Sequence, residues 1–131
     1  MTPPPLGQHF LTDTSVVKAI VESADLRSGD TVVEVGPGRG ALTSDIVSQS
    51  GKVLLIEYDA EMAERLAFKY ETNTNVNVIN LDARHFGSDS HTWLSDGNYK
   101  VVGNLPYYAA NPIVRNFLES THKPTSMVIM V

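Results

Sequence analysis

The sequence predicts one doubly wound α/β domain over residues 1–131, a mostly parallel sheet with helices on both faces. Strand-like and helix-like segments trade places along the chain, and each strand-like run is near-continuously apolar, as a sheet covered on both sides requires. With 131 residues and 42% hydrophobic content, the chain has the size at which a single domain buries a real core.

Apolar residues at Val17, Ile20, Val21 and Ala24 recur at helical spacing behind Asp13, a residue suited to cap a first helix. Gly29 closes that unit, and the β-branched run Thr31 to Val35 predicts the first strand. It stops at Gly36-Pro37-Gly38-Arg39-Gly40, after which Leu42, Ile46 and Val47 resume the helical period. A second strand follows at Val53 to Ile56, then a helix behind Asp59 with Met62, Leu66 and Tyr70, and a third strand at Val76 to Ile79. Gly87 to Gly97 is a polar stretch with room for one helical turn around Trp93. Tyr99 to Val102 predicts the fourth strand. Asn111-Pro112 predicts a cap followed by proline at the first helical position, with Ile113, Val114, Phe117 and Leu118 as the apolar face. Met127 to Val131 is the fifth strand, and because a buried-type strand is an unusual place for a chain to stop, the natural protein is expected to continue beyond it.

Composition narrows the chemistry. There are no cysteines, which excludes disulfides, thiolate metal sites and the cysteine-nucleophile route to pyrimidine C5 modification, and fits a cytoplasmic location. No run approaches the roughly 18 apolar residues of a membrane span, so no membrane partner is expected. His85, His91 and His122 lie scattered in loops without metal-ligand spacing, so no metal is expected. The formal charge of −5 contrasts with the basic surface usual in a protein that grips nucleic acid by its phosphates.

The glycine-rich turn after the first strand lets a ligand approach the backbone at Gly36 and Gly38. Its third glycine comes one position earlier than in the dinucleotide fingerprint G-x-G-x-x-G, and Glu34 stands two residues before the first. A carboxylate there repels a pyrophosphate but suits a ligand bearing an ammonium and a sulfonium, which favours S-adenosyl-L-methionine over NAD. Glu57, ending the second strand about 20 residues past the loop, is placed to accept ribose hydroxyls in either ligand class. Asp82, after the third strand, can accept from an adenine amino group.

Asn104-Leu105-Pro106-Tyr107 follows the fourth strand and overhangs the same sheet edge. An exocyclic adenine amine is a poor nucleophile because its lone pair is delocalised into the ring. Two acceptors, the Asn104 side-chain oxygen and a main-chain carbonyl held by Pro106, can take both hydrogens and turn the lone pair towards a methyl donor. Tyr107 or Tyr108 offers an aromatic face for a flipped-out base.

Gly7-Gln8-His9-Phe10-Leu11, Glu34-Val35-Gly36-Pro37-Gly38-Arg39-Gly40-Ala41-Leu42-Thr43 and Asn104-Leu105-Pro106-Tyr107 together resemble the ribosomal RNA adenine N6,N6-dimethyltransferases of the KsgA type, whose domain has the Rossmann-like class I methyltransferase fold. The resemblance spans the whole chain, and leucine in N-L-P-Y is more like the small-subunit enzymes than the erythromycin-resistance methyltransferases, where isoleucine is usual. It implies cofactor contacts at His9, Leu11, Gly36, Glu57 and Asp82, with Asn104 at the junction of cofactor and target adenine, Leu105 offering its carbonyl and Tyr107 its ring. It further implies dimethylation of two adjacent adenines near the 3′ end of small-subunit (16S) rRNA, a pre-30S ribosomal partner, a role in ribosome biogenesis, a monomer, and later strands and a helical C-terminal domain beyond residue 131. Two positions depart from the family: Pro3-Pro4-Pro5-Leu6 stands where Lys and Arg are common, and His9 replaces the commoner asparagine. From the residues themselves other readings stay open: an NAD-linked enzyme, a noncatalytic RNA-binding or assembly factor on the same fold, methylation of large-subunit rRNA, or an N-methyltransferase for DNA adenine or a protein glutamine amide.

Overall fold

The computed structural model describes residues 13–131. Five parallel strands, β1 (Thr31–Val35), β2 (Lys52–Glu57), β3 (Val76–Asn80), β4 (Lys100–Asn104) and β5 (Ser126–Met130), form one sheet in the order β3-β2-β1-β4-β5. The helices are α1 (Thr14–Ala24), α2 (Thr43–Gln49), α3 (Ala60–Lys69) and α4 (Tyr107–Leu118). β1 therefore has β2 on one side and β4 on the other, so the chain changes winding direction there, and the C-terminal ends of β1 and β4 flank the crevice where open α/β sheets bind ligands.

Strand side chains alternate between two cores. Val33, Val35, Leu54, Ile56 and Val101 pack with Ile113 and Phe117 of α4. Val32, Val53, Leu55 and Val102 pack with Ile20 and Val21 of α1, Ile46 of α2 and Leu66 of α3. Burial on both faces is the physical reason these strands read as unbroken apolar runs.

Several boundaries follow the expected capping chemistry. Asp13 accepts from Ser15 N at 2.9 Å and Asp59 from Met62 N at 3.0 Å, so both cap helices as their positions suggest. α1 ends at Asp25, which turns left-handed at φ 49° and donates its N–H to the Glu22 carbonyl, four residues before Gly29. The polar stretch from Gly87 to Gly97 holds two short 3₁₀ segments, Ser88–Ser90 and Thr92–Leu94 around Trp93, and a third, Ala83–His85, precedes it.

The Asn111-Pro112 cap is corrected by the structure. α4 begins at Tyr107 behind Pro106 and runs through Pro112. Proline has no N–H, so the Tyr108 carbonyl four residues earlier loses its intrahelical donor. Tyr108 is exposed at the sheet edge, where water can take that role, and burial of Ala110, Ile113 and Phe117 holds the helix against the core. β4 likewise runs two residues past the expected Val102, because Leu105 N still donates to the Met130 carbonyl at 2.9 Å; Asn104 is thus the last residue of the strand.

Candidate active site

A cleft of about 280 Å³ opens at the C-terminal edge of the sheet, lined from four strand ends: Val35 and Gly36, Ile56 and Glu57, Leu81 and Asp82, Asn104 and Leu105. Gly38 from the glycine loop, Pro106 from the segment after β4 and Tyr108 from the first turn of α4 add to its walls. Of the expected site residues the fold brings Gly36, Gly38, Glu57, Asp82, Asn104, Leu105 and Pro106 together here. His9 and Leu11 lie outside the described residues.

The glycine loop is built by conformations other residues resist. Gly36 and Gly38 have φ of 69° and 58°, and a Cβ at Gly36 would stand 3.3 Å from Leu105 Cδ2. Position 36 therefore needs glycine both for its backbone angle and for the close approach of β4. α2 starts only at Thr43, so the loop's own backbone, rather than the helix terminus, faces the cleft.

Glu57, only 6% exposed, is fixed by two main-chain donors: Gly38 N to Oε1 and Asp59 N to Oε2, each at 2.8 Å. A carboxylate has about four acceptor positions, so two remain for a ligand. The bond to Gly38 ties the acid to the glycine loop. Asn80, unremarked from sequence, donates to the carbonyls of Glu57 and Tyr58 at 2.9 and 3.0 Å and pins the ends of β2 and β3 together.

Asp82 caps the first 3₁₀ segment and is gripped by Arg84, with Nη2 at 2.6 Å from Oδ2. The Arg84 hydrogen bond holds its carboxyl below the usual carboxylate range. Asn116 of α4 donates to the carbonyls of Ala83 and Phe86, at 2.9 and 2.6 Å, and fastens this turn to the helix that carries the other wall. Asn104 lines the cleft half-buried, and among the described residues no hydrogen bond engages its side-chain amide.

Two expected residues fall elsewhere. Glu34 is 1% exposed and absent from the cleft. It shares its face of β1 with Val32, points into the core under α1, α2 and α3, and accepts a 2.5 Å hydrogen bond from the Thr43 hydroxyl. Burial, with a further contribution from the Glu57 charge, pushes its carboxyl up to about 8. At neutral pH it is mostly uncharged, so the electrostatic case against a pyrophosphate passes to Glu57, Asp59 and Asp82, which do line the cleft. Tyr107 is 79% exposed and outside the lining, whereas Tyr108, 61% exposed, lies within it. Both sit in the first turn of α4, and only the second faces the cleft.

Sequence reading passed over Tyr58, Leu81 and Arg84 on the walls. The signal was available for the first two: Tyr58 directly follows the candidate acid Glu57, Leu81 directly precedes Asp82, and each remains exposed in the fold.

The description Ribosomal RNA adenine dimethylase fits residues 4–131 as a family. The chain belongs to that family. It is 42% identical over 126 residues to the ribosomal RNA small subunit methyltransferase A of Dehalococcoides mccartyi strain CBDB1, covering 96% of this chain and 43% of that protein. The protein of the same description from Halothermothrix orenii is 40% identical over 131 residues, with 96% and 43% covered. The chain thus spans less than half the length of these relatives. Among solved structures, the 23S rRNA methyltransferase ErmE superposes with a TM-score of 0.75 at 30% identity, covering 92% of this chain and 48% of that one. A dimethyladenosine transferase from Plasmodium falciparum gives 0.70 at 22% identity, covering 92% and 41%, and bears on the fold alone. Together they establish the family membership and the Rossmann-like methyltransferase fold. No helix among the described residues is long and apolar enough to cross a membrane, and no cluster of metal-ligating side chains occurs among them.

Proposed function

We propose that this chain is the cofactor-binding region of an S-adenosylmethionine-dependent N6-adenine methyltransferase that acts on small-subunit rRNA and dimethylates adjacent adenines during ribosome maturation. One observation carries the reading: the glycine loop with Glu57 and Asp82, and the Asn104-Leu105-Pro106 segment, share a single cleft at the switch point of the sheet.

The cleft's donors and acceptors fit the cofactor. Glu57 retains two acceptor positions for ribose hydroxyls, Asp82 faces an adenine amine, and a lining with three carboxylates and one guanidinium, contributed by Glu57, Asp59, Asp82 and Arg84, suits a cationic ligand better than a pyrophosphate. Bound there, the cofactor supplies an electrophilic methyl on sulfur. The chain's own work is orientation. The Asn104 side-chain oxygen and the Leu105 carbonyl, directed by Pro106, accept the two amine hydrogens and aim the nitrogen lone pair at the methyl. The ring of Tyr107 or Tyr108 stacks on the extruded base, and the cleft geometry favours Tyr108. No strong base is needed before attack, since the proton becomes acidic only once nitrogen bears positive charge. Higher identity to the small-subunit enzymes than to ErmE supports the small-subunit substrate.

Calorimetric titration of the chain with S-adenosylmethionine, with NAD and Glu57→Ala as controls, tests the cofactor assignment. Binding of NAD instead would refute it. Methylation of small subunits by the protein at its full natural length, with loss at Asn104→Ala, tests the reaction; a protein that binds the RNA without transferring methyl would be an assembly factor on this fold.

A further inference from the structure

We propose that Arg84 is a positioning residue that fixes the Asp82 carboxylate in the orientation that receives an adenine amine, an inference that rests on the cofactor reading above. Three N–H groups of one residue converge on this acid. The Arg84 backbone N lies 3.0 Å from Oδ1, its Nε 3.1 and 3.0 Å from Oδ1 and Oδ2, and its Nη2 2.6 Å from Oδ2. The terminal torsion of an aspartate is otherwise broad. A guanidinium fork sets the plane of the carboxylate as well as neutralising it.

The three donors make four contacts, two on each oxygen, with the Nε hydrogen shared between them; an amine hydrogen takes over one branch of that shared bond. Asp82 is mostly covered, with 18% of its side chain exposed, while Arg84 at 49% reaches the rim. The charge surroundings also call for the arginine. Glu57 and Asp59 line the same cleft, His85 lies on the same turn, and Tyr58 and Tyr108 face the guanidinium from the ends of β2 and α4. Without Arg84, three carboxylates would share one cleft, and their repulsion would raise the proton affinity of Asp82. The residue is specific to the geometry: lysine restores the charge but not the fork.

Calorimetric titration with S-adenosylmethionine at pH 7.5 tests this with the wild type, Arg84→Met, Arg84→Lys, Asp82→Asn and the double variant Arg84→Met/Asp82→Asn, each checked for a wild-type circular dichroism spectrum. At pH 7.5 Arg84→Met should bind about tenfold more weakly, the size of one charge-assisted hydrogen bond at a half-exposed site. Arg84→Lys, which restores the charge without the fork, should recover only part of the affinity. In the Asp82→Asn background, Arg84→Met should have no further effect. Wild-type affinity in Arg84→Met, or the same loss in both backgrounds, would overturn the role of Arg84 alone. A wild type that does not bind the cofactor would overturn the cofactor reading with it.

Discussion

Replacing Glu34 by glutamine tests whether a neutral acid really lies behind the glycine loop. The folded carboxyl is raised from the ordinary 4.5 to about 8, so the folded state holds the proton more tightly than the unfolded chain does. The stability this confers is complete below pH 4.5 and is lost steadily as pH rises towards 8. At pH 7 the 2.5 pH units above 4.5, at about 1.36 kcal/mol each, amount to about 3 kcal/mol. At pH 5 the same reasoning leaves under about 1 kcal/mol. Glutamine has nearly the same shape, keeps a carbonyl oxygen for the Thr43 hydroxyl and carries no titrating proton. Urea unfolding at pH 5, 6, 7 and 8 should therefore show Glu34→Gln gaining on the wild type as pH rises, by about 3 kcal/mol at pH 7. A difference that stays constant across this range would refute the burial argument. Because Glu34 faces the core and not the cleft, cofactor affinity should stay within about twofold, under roughly 0.5 kcal/mol.

Other outcomes follow from the same geometry. Gly36→Ala forces a side chain into a left-handed backbone 3.3 Å from Leu105 Cδ2; it should cost about 1–3 kcal/mol in urea unfolding and weaken S-adenosylmethionine binding by calorimetry. Asn104→Ala in the protein at its full natural length should lower the methyl-transfer rate by about 10²–10³-fold and leave cofactor affinity little changed, as measured by single-turnover kinetics and titration. Pro112→Ala returns an N–H to the Tyr108 carbonyl within α4, and should raise unfolding free energy by about 1 kcal/mol once the lost rigidity of the unfolded chain is offset; thermal melting reads this directly.

Most of the architecture was legible in the chain because each element has a local cause. β-branched runs such as Thr31–Val35 have little choice but to extend, Asp13 and Asp59 cap the helices that follow them, and the strand-end acids Glu57 and Asp82 sit where parallel strands deliver ligand-facing residues. The ordered motifs were enough to reveal the family. Tertiary structure decided what local rules leave degenerate. In a strand buried on both faces, alternation does not distinguish one apolar side from the other, so only the packing of α1, α2 and α3 shows that Glu34 turns into the core. Proline is compatible with the first turn of a helix and tolerated later if burial outweighs one lost hydrogen bond, so only the fit of Ile113 and Phe117 against the sheet settles where α4 begins. Strand order leaves no trace in linear spacing. It is the placement of β4 beside β1 that carries Asn104, 68 positions from Gly36, to the same cleft, because pairing across the sheet depends on surfaces assembled from the whole chain.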